Sequence, residues 1–341
     1  MADLDRSEPA GGAVIRFVAG RLVASVVIVF VVATASFWLL HAAPGGPFDT
    51  GERRSAAVTH AMEERYGLGR PLWQQYGYAM ARLVHGDLGV SMKRDVSVTA
   101  LIAEHGPISA VLGVLGLLAA VGIGISLGVV AAWRRNTWID YVVMTGALIG
   151  ISVPAFVLGP LLIAAISLDL GWLPPARIDG VSSLILPAGT LGMIYLGTIA
   201  RLTRGGLVDV LDQDFIRTAR AKGLPEHRVV AKHALRVGIT PVVTYLGPAA
   251  AALISGSFVV EKIFQIPGLG TYFLTSVYDR DYPVVTGVFV FYAALLALLN
   301  LAVDLAYGVL DPRVRRGPGS RGAPGGRGAP GRTHERARSP G

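Results

Sequence analysis

The chain has 341 residues, of which 52% are hydrophobic and only 16% charged, and its mean hydropathy is +0.53. Soluble domains carry about 25% charged residues, so the deficit excludes an ordinary water-soluble globule and a disordered chain and points to lipid as the solvent. The 31 Lys+Arg against 23 Asp+Glu give a net charge of +8, and the lack of any Cys excludes disulfides, thiolate metal sites and Cys nucleophiles.

Residues 1–21 carry Arg6, Arg16 and Arg21 and read as a cytoplasmic N-terminus. A spanning helix needs about 20 apolar residues, and windows free of Asp, Glu, Lys and Arg supply six. The first covers 22–40. Its 19-residue apolar run exceeds the roughly 7–15 of a signal peptide, and Leu40-His41-Ala42 is a poor cleavage site, so an uncleaved first helix is expected. Residues 41–106 form an extracytoplasmic segment of mixed charge with helix-like stretches around 71–84. A transmembrane domain over 99–308 follows, with helices at about 107–133, 141–167, 185–204, 240–261 and 283–308. Pro154 is expected to kink the third span. Residues 201–239 form a long cytoplasmic loop. Residues 317–341 are rich in Gly, Pro and Arg, have no apolar core, and read as a disordered tail. That tail has no aromatic residue for base stacking, so it reads as a solvated tail beside anionic lipid and no nucleic-acid partner is expected. The fold class is an all-α integral membrane protein of six transmembrane helices.

Arginine placement orients the spans. Arg134 and Arg135 follow the second span, and eight basic residues lie between Arg201 and Arg236. The loop after the third span has only Arg177, and the loop after the fifth only Lys262 and Arg280. The first outer loop is long enough for its charges to matter little. Positive charge stays inside, so both termini are expected in the cytoplasm and the protein in the plasma membrane.

Several chemistries are missing. No Gly is followed by Lys anywhere in the chain, so it has no phosphate-cradling loop. No H-E-x-x-H spacing occurs, and His41, His60, His85 and His105 read as isolated groups in or near the outer loop. No G-x-S-x-G elbow occurs. No catalytic residue, cofactor site or metal site is expected, and the chain is not expected to be an enzyme. Asn300 and Asp304 are one turn apart on the sixth span and share a face. Glu261 ends the fifth span beside Lys262. These three are the candidate intramembrane polar groups, structural or functional. A secondary transporter would show several buried relays; Asp304 is the one clear candidate here. Gly124-x-x-x-Gly128 and Gly146-x-x-x-Gly150 are expected to let helices pack closely.

The informative stretch runs from Leu207 to Pro241. Leu207, Leu211, Phe215 and Ala219 recur every four residues and predict one apolar stripe. Asp212 and Asp214 suit the positive end of a short helix, and Lys222 its negative end. Gly223 stops the helix as a C-cap glycine does, and Pro225 suits the first turn of the next. Ala219 and Ala221 are small enough to let another surface approach. The prediction is a helix, a Gly turn and a second helix facing the cytoplasm.

Asp214-Phe215-Ile216-Arg217-Thr218-Ala219-Arg220-Ala221-Lys222-Gly223-Leu224 resembles the ATPase-coupling loop of binding-protein-dependent type I ABC importer permeases, most closely the dipeptide/oligopeptide/nickel subgroup. The superfamily motif is Glu-Ala-Ala, three residues, Gly, nine residues, then Ile-x-Leu-Pro. Arg217-Thr218-Ala219 stands for Glu-Ala-Ala, Gly223 is the Gly, and His233-Ala234-Leu235-Arg236 replaces Ile-x-Leu-Pro, as in that subgroup. Further fragments resemble the subgroup in order: Pro44-Gly45-Gly46-Pro47, His85-Gly86-Asp87-Leu88-Gly89, Gly171-Trp172-Leu173-Pro174, Gly256 to Glu261, Ile266-Pro267-Gly268-Leu269-Gly270, Asp281-Tyr282-Pro283, Asn300 to Asp304 and Asp311-Pro312-Arg313.

This resemblance implies a permease subunit that forms a path for di- or oligopeptides, with nickel chelate or another small solute as the alternative substrate. A self-sufficient secondary transporter is the alternative of a different class. The resemblance also implies a second homologous permease, two cytoplasmic ABC ATPase subunits that bind and hydrolyse the ATP, and an extracytoplasmic solute-binding protein, all around a chain in the lipid bilayer.

Overall fold

The computed structural model describes residues 10–48, 56–255 and 258–310. They are helical almost throughout. The N-terminal helix α1 (Ala10–Ala42) is followed by two short helices, α2 (Ala56–Tyr66) and α3 (Leu72–Val84). Then come α4 (Val98–Trp133), α5 (Trp138–Ser152), α6 (Ala155–Leu162), α7 (Ile185–Leu211) and α8 (Asp214–Ala221). The chain continues through α9 (Glu226–Arg228), α10 (Leu235–Gly238), α11 (Thr240–Ser255), α12 (Phe258–Ile263), α13 (Leu269–Tyr278) and α14 (Tyr282–Leu310). Residues 1–9, the tail 317–341, Gly256, Ser257 and Asp311-Pro312-Arg313 lie outside the described residues.

Among the described residues, five stretches are long and apolar enough to cross a membrane: Val18–Ala42, Val98–Trp133, Val181–Leu211, Thr240–Ile263 and Tyr282–Ala302. A sixth exists if the pair Trp138–Ser152 and Ala155–Asp169 is taken together, and that pair is bent by 109°. The sequence predicted one kinked span there. The break is sharper because Val153, held before a proline, adopts an extended conformation (φ −84°, ψ 117°), and Pro154 starts α6 as its N-cap.

Three further boundaries differ from the sequence reading. Helix α1 begins at Ala10, within the stretch read as the N-terminus. Helix α4 begins nine residues before Pro107, because the Ser97 hydroxyl accepts the Ala100 N–H at 3.2 Å and caps it. Glu104 breaks the charge-free window there, yet it lies within the helix. Helix α7 runs on through Arg201, Arg204 and Asp209 to Leu211, so the first part of the predicted loop 201–239 is helix.

The core is built on α4 and α7. Gly116, Ala120, Gly124 and Gly128 lie every four residues along α4 and are all buried. A Cβ on Gly124 would stand 2.9 Å from the Leu196 carbonyl oxygen, and one on Gly128 would stand 2.6 Å from that of Ala200. The two helices therefore meet backbone to backbone, as small-residue spacing allows in lipid. The second glycine pair is looser: a Cβ on Gly150 would touch Met193 at 3.4 Å, and one on Gly146 would meet nothing. The segment before α4 is tied to the last helix. Asp281, at the start of α14, is buried and accepts the Ser91 hydroxyl and the Met92 N–H, the latter at 3.1 Å.

Candidate functional site

The predicted helix, Gly turn and helix are all present after α7. Asp212 ends α7 with φ −93° and ψ 0°, and Gln213 is extended (φ −79°, ψ 154°) before α8 begins at Asp214. Asp214 occupies the first turn and Arg220 the last, each at the end its charge favours. At the other end Gly223 has φ +76°. Its N–H donates to the Arg220 carbonyl at 2.9 Å, and the Leu224 N–H to the Ala219 carbonyl at 3.4 Å. Those two bonds form a Schellman cap, and Leu224 completes it by packing on the buried cluster below. Pro225 is the N-cap of α9 and not part of its first turn.

The apolar stripe differs from its prediction. Leu207, Leu211 and Ala219 are buried as expected, but Phe215 is 41% exposed and Ile216 is fully buried in its place. The break at 212–213 resets the helical phase, so a four-residue period does not carry from α7 into α8. Ile216 and Ala219 pack with Leu207, Val210, Leu211, Val229, Val230 and Ala234 in one cluster. Ala219 thus faces its own chain. Asp214, Phe215, Arg217, Thr218, Ala221, Lys222 and Gly223 are exposed and form the outer surface of the loop. Along that surface the Thr218 hydroxyl donates to the Asp214 carbonyl at 3.0 Å.

Three ion pairs hold this loop and its surroundings. Arg220 donates to both oxygens of Glu226, at 2.6 and 3.1 Å, and so spans the Gly223 turn. That bond holds the Glu226 carboxyl below its ordinary range. Arg135, in the turn between α4 and α5, donates to both oxygens of Asp212 at 2.9 and 3.0 Å. The Asp212 carboxyl is lowered chiefly by this hydrogen bond. Arg204 of α7 donates to Asp140 at the start of α5, at 2.5 and 2.6 Å. Asp140 also accepts the Asn136 N–H at 3.0 Å, closing its own turn. Asp140 and both of these long-range pairings are not apparent from the sequence pattern alone. One available signal was the acidic first-turn residue directly after a basic turn.

The intramembrane candidates separate. Glu261, on α12, is fully buried and accepts the Thr271 N–H at 3.1 Å. Asn300 is half-buried on α14. Asp304 lies on α14 too, with its side chain outside the described residues. Among the described residues no three His, Asp or Glu side chains converge as metal ligands would.

Apolar helices of spanning length among the described residues, with an ion-paired helical hairpin between two of them, define the class as a multi-pass membrane protein. Residues 124–316 match the family described as binding-protein-dependent transport system inner membrane component, and residues 14–112 match the N-terminal segment of the same membrane components. The chain belongs to that family. It is 41% identical over 305 residues to the oligopeptide transport system permease protein OppB of Salmonella typhimurium, spanning 88% of this chain and 99% of that one. It is 42% identical over 301 residues to the dipeptide transport system permease protein DppB of Bacillus subtilis, spanning 88% and 98%. The glutathione transport system permease protein GsiC of Escherichia coli is 40% identical over 303 residues, spanning 88% and 99%. Among solved structures, an inward-facing MetNI methionine ABC transporter chain matches with a TM-score of 0.54 at 18% identity, covering 62% of this chain and 97% of that one. That likeness carries the fold, the type I importer transmembrane domain.

Proposed function

We infer that the chain is the permease subunit of an ATP-driven importer and forms the path for di- or oligopeptides across the plasma membrane. The observation that carries this reading is the cytoplasmic hairpin at 214–224. Its inner face is locked into the chain's own core, and its outer face carries Phe215 among charged and small residues, without a covering element among the described residues. Such a knob moves the spans when it is pushed. The relatives described above are named as permeases for oligopeptides, dipeptides or glutathione, which favours a peptide over a nickel chelate.

The assembly we propose has this chain beside a second homologous permease, with two cytoplasmic ATPases under the Gly223 hairpins and an extracytoplasmic binding protein above. The energy enters through those ATPases, since this sequence has no phosphate loop of its own; the chain itself is no enzyme and binds no cofactor. Both termini and the 201–239 region face the cytoplasm, and 41–106 faces outward. Closing of the ATPase dimer pushes the hairpin, and the spans rock between inward and outward openings. Asp214, Phe215, Arg217, Thr218, Ala221 and Lys222 form the contact surface. Ala219, Gly223 and Leu224 set its shape from within. The test is uptake of a labelled dipeptide by proteoliposomes containing both permeases, both ATPases and the binding protein. Uptake by this chain alone, without ATP, would favour a secondary transporter instead.

A further inference from the structure

The turn at 264–271 is a meeting point. Phe264 and Ile266 belong to the apolar cluster around Leu112, while Leu269 belongs to a separate cluster around Val98. The backbone of the turn is held from several directions. The Phe264 carbonyl accepts the N–H of Arg177, in the connection that follows the bent pair, at 2.8 Å. The Pro267 carbonyl lies 2.9 Å from His105 Nδ1, and the Leu269 N–H donates to Ser109 Oγ at 2.9 Å. Both partners stand on α4.

Glu261 sits beneath this turn with no exposed surface. Helix α13 has Gly268 as its N-cap and so has no capping side chain of its own. Glu261 supplies the missing acceptor from α12, taking the N–H of Thr271, the third residue of α13, at 3.1 Å. Its carboxyl group thus stands at the N-terminal end of that helix, where backbone N–H groups lack partners within the helix. The glycines of the turn fit the same carboxylate. A Cβ on Gly270 would stand 2.9 Å from Glu261 Oε2, and one on Gly268 would overlap the carboxyl group and come within 2.7 Å of Ser109 Oγ. Tyr292 of α14, whose hydroxyl is buried, lines one cavity with Ser109 and Leu269.

We propose that Glu261 is a positioning residue for transport. Its carboxylate clamps the start of α13 to α12, and Ser109 clamps the same turn to α4. In the orientation proposed above, this turn lies at the outer end of the spans. The clamp makes those outer ends move as one body, so that motion entering at the cytoplasmic hairpin reaches the outer mouth of the path. The proposal rests on the permease reading. It predicts loose coupling when the clamp is cut, whereas a purely structural cap predicts loss of folded protein alone.

The test uses the whole complex in proteoliposomes with labelled dialanine as the probe, and reads peptide transported per ATP hydrolysed. In Glu261→Ala, ATP hydrolysis persists while that ratio falls by about tenfold, within the range of a single coupling free energy. Glu261→Gln keeps an oxygen for the Thr271 N–H and recovers most of the ratio. Ser109→Ala, which cuts the second clamp, lowers the ratio less. A wild-type ratio in Glu261→Ala at wild-type membrane abundance overturns the proposal. If Glu261→Ala is lost from the membrane, Ser109→Ala decides, and an unchanged ratio there overturns it as well. No binding-protein-dependent uptake by the wild-type complex overturns the permease reading itself, and the proposal with it.

Discussion

Arg204 grips both carboxylate oxygens of Asp140 across 64 residues of chain. Arg135, five residues before Asp140, grips Asp212, eight residues beyond Arg204. The turn between α4 and α5 and the first turn of α5 therefore hold the C-terminal end of α7 at two points. Helix α7 leads directly into the hairpin, so a push on the hairpin reaches both neighbouring helices through charged contacts as well as through the glycine seam.

The two clamps differ in worth. The Asp140 side chain is 4% exposed and that of Arg204 29%, so removing either leaves an uncompensated charge in a confined place. Asp140→Ala is expected to cost about 3 kcal/mol, read as a lower thermal unfolding midpoint in detergent. Asp140→Asn, which keeps an acceptor for the Asn136 N–H, should cost less. The Arg135–Asp212 pair is exposed and screened by solvent, so Arg135→Ala should change stability far less. Equal losses in Asp140→Ala and Arg135→Ala would contradict this ranking.

Acid should loosen the hairpin before the spans. The Glu226 and Asp212 carboxyls both titrate below their ordinary values, each through a hydrogen bond from an arginine. A lowered folded-state pKa gives stability that is present above the unfolded value, about 4, and is lost as pH falls through the folded value. Hydrogen exchange at residues 212–228, corrected for the intrinsic rate, should thus be constant from pH 7 to 5 and accelerate below about pH 4. Arg220→Gln removes the cause of the Glu226 shift and should flatten much of that response. Acceleration already between pH 7 and 5 would show that these carboxyls are not the groups in control.

The spans were legible because lipid imposes a blunt rule: charge-free windows of about 20 residues. The Gly223 turn was legible because Lys-Gly-Leu-Pro combines a helix stop with a helix start. Other features depend on contacts distant in sequence. Nothing near Asp140 names Arg204. The buried face of α8 could not be phased through the break at Asp212 and Gln213, so Phe215 was placed inside and Ile216 was overlooked. Glu261 looked like a span end beside Lys262, because its partner at Thr271 is reached only by a reversing turn. The 109° bend at Val153 and Pro154 exceeds what a lone helix proline requires.

The proposed orientation can be read directly, because the chain has no Cys to interfere. Tyr278, 74% exposed at the end of α13, should be outside. Lys222, exposed beside the Gly223 turn, should be inside. In intact spheroplasts, Tyr278→Cys should react with an impermeant thiol reagent, and Lys222→Cys only after the membrane is opened. The reverse pattern would invert the topology and remove the hairpin from reach of any cytoplasmic ATPase.

The hairpin itself separates shape from surface. Gly223 has φ +76° and no atom within 4 Å of the place a Cβ would occupy, so its requirement is one of backbone conformation and not of space. A β-branched residue there is strained by roughly 1–2 kcal/mol, while Asn tolerates the left-handed region. Gly223→Val should lower peptide uptake and substrate-stimulated ATP hydrolysis together at normal membrane abundance, and Gly223→Asn should retain most of both. Ala219 faces the chain's own core, so Ala219→Glu buries a charge among Ile216, Val229 and Val230 and should unfold the hairpin, raising its hydrogen exchange. Phe215 faces outward, so Phe215→Ala should leave hairpin exchange unchanged yet weaken ATPase attachment, measured by co-purification. Normal uptake in Gly223→Val and normal ATPase retention in Phe215→Ala would together make this hairpin a plain connector, and the energy would have to enter the spans elsewhere.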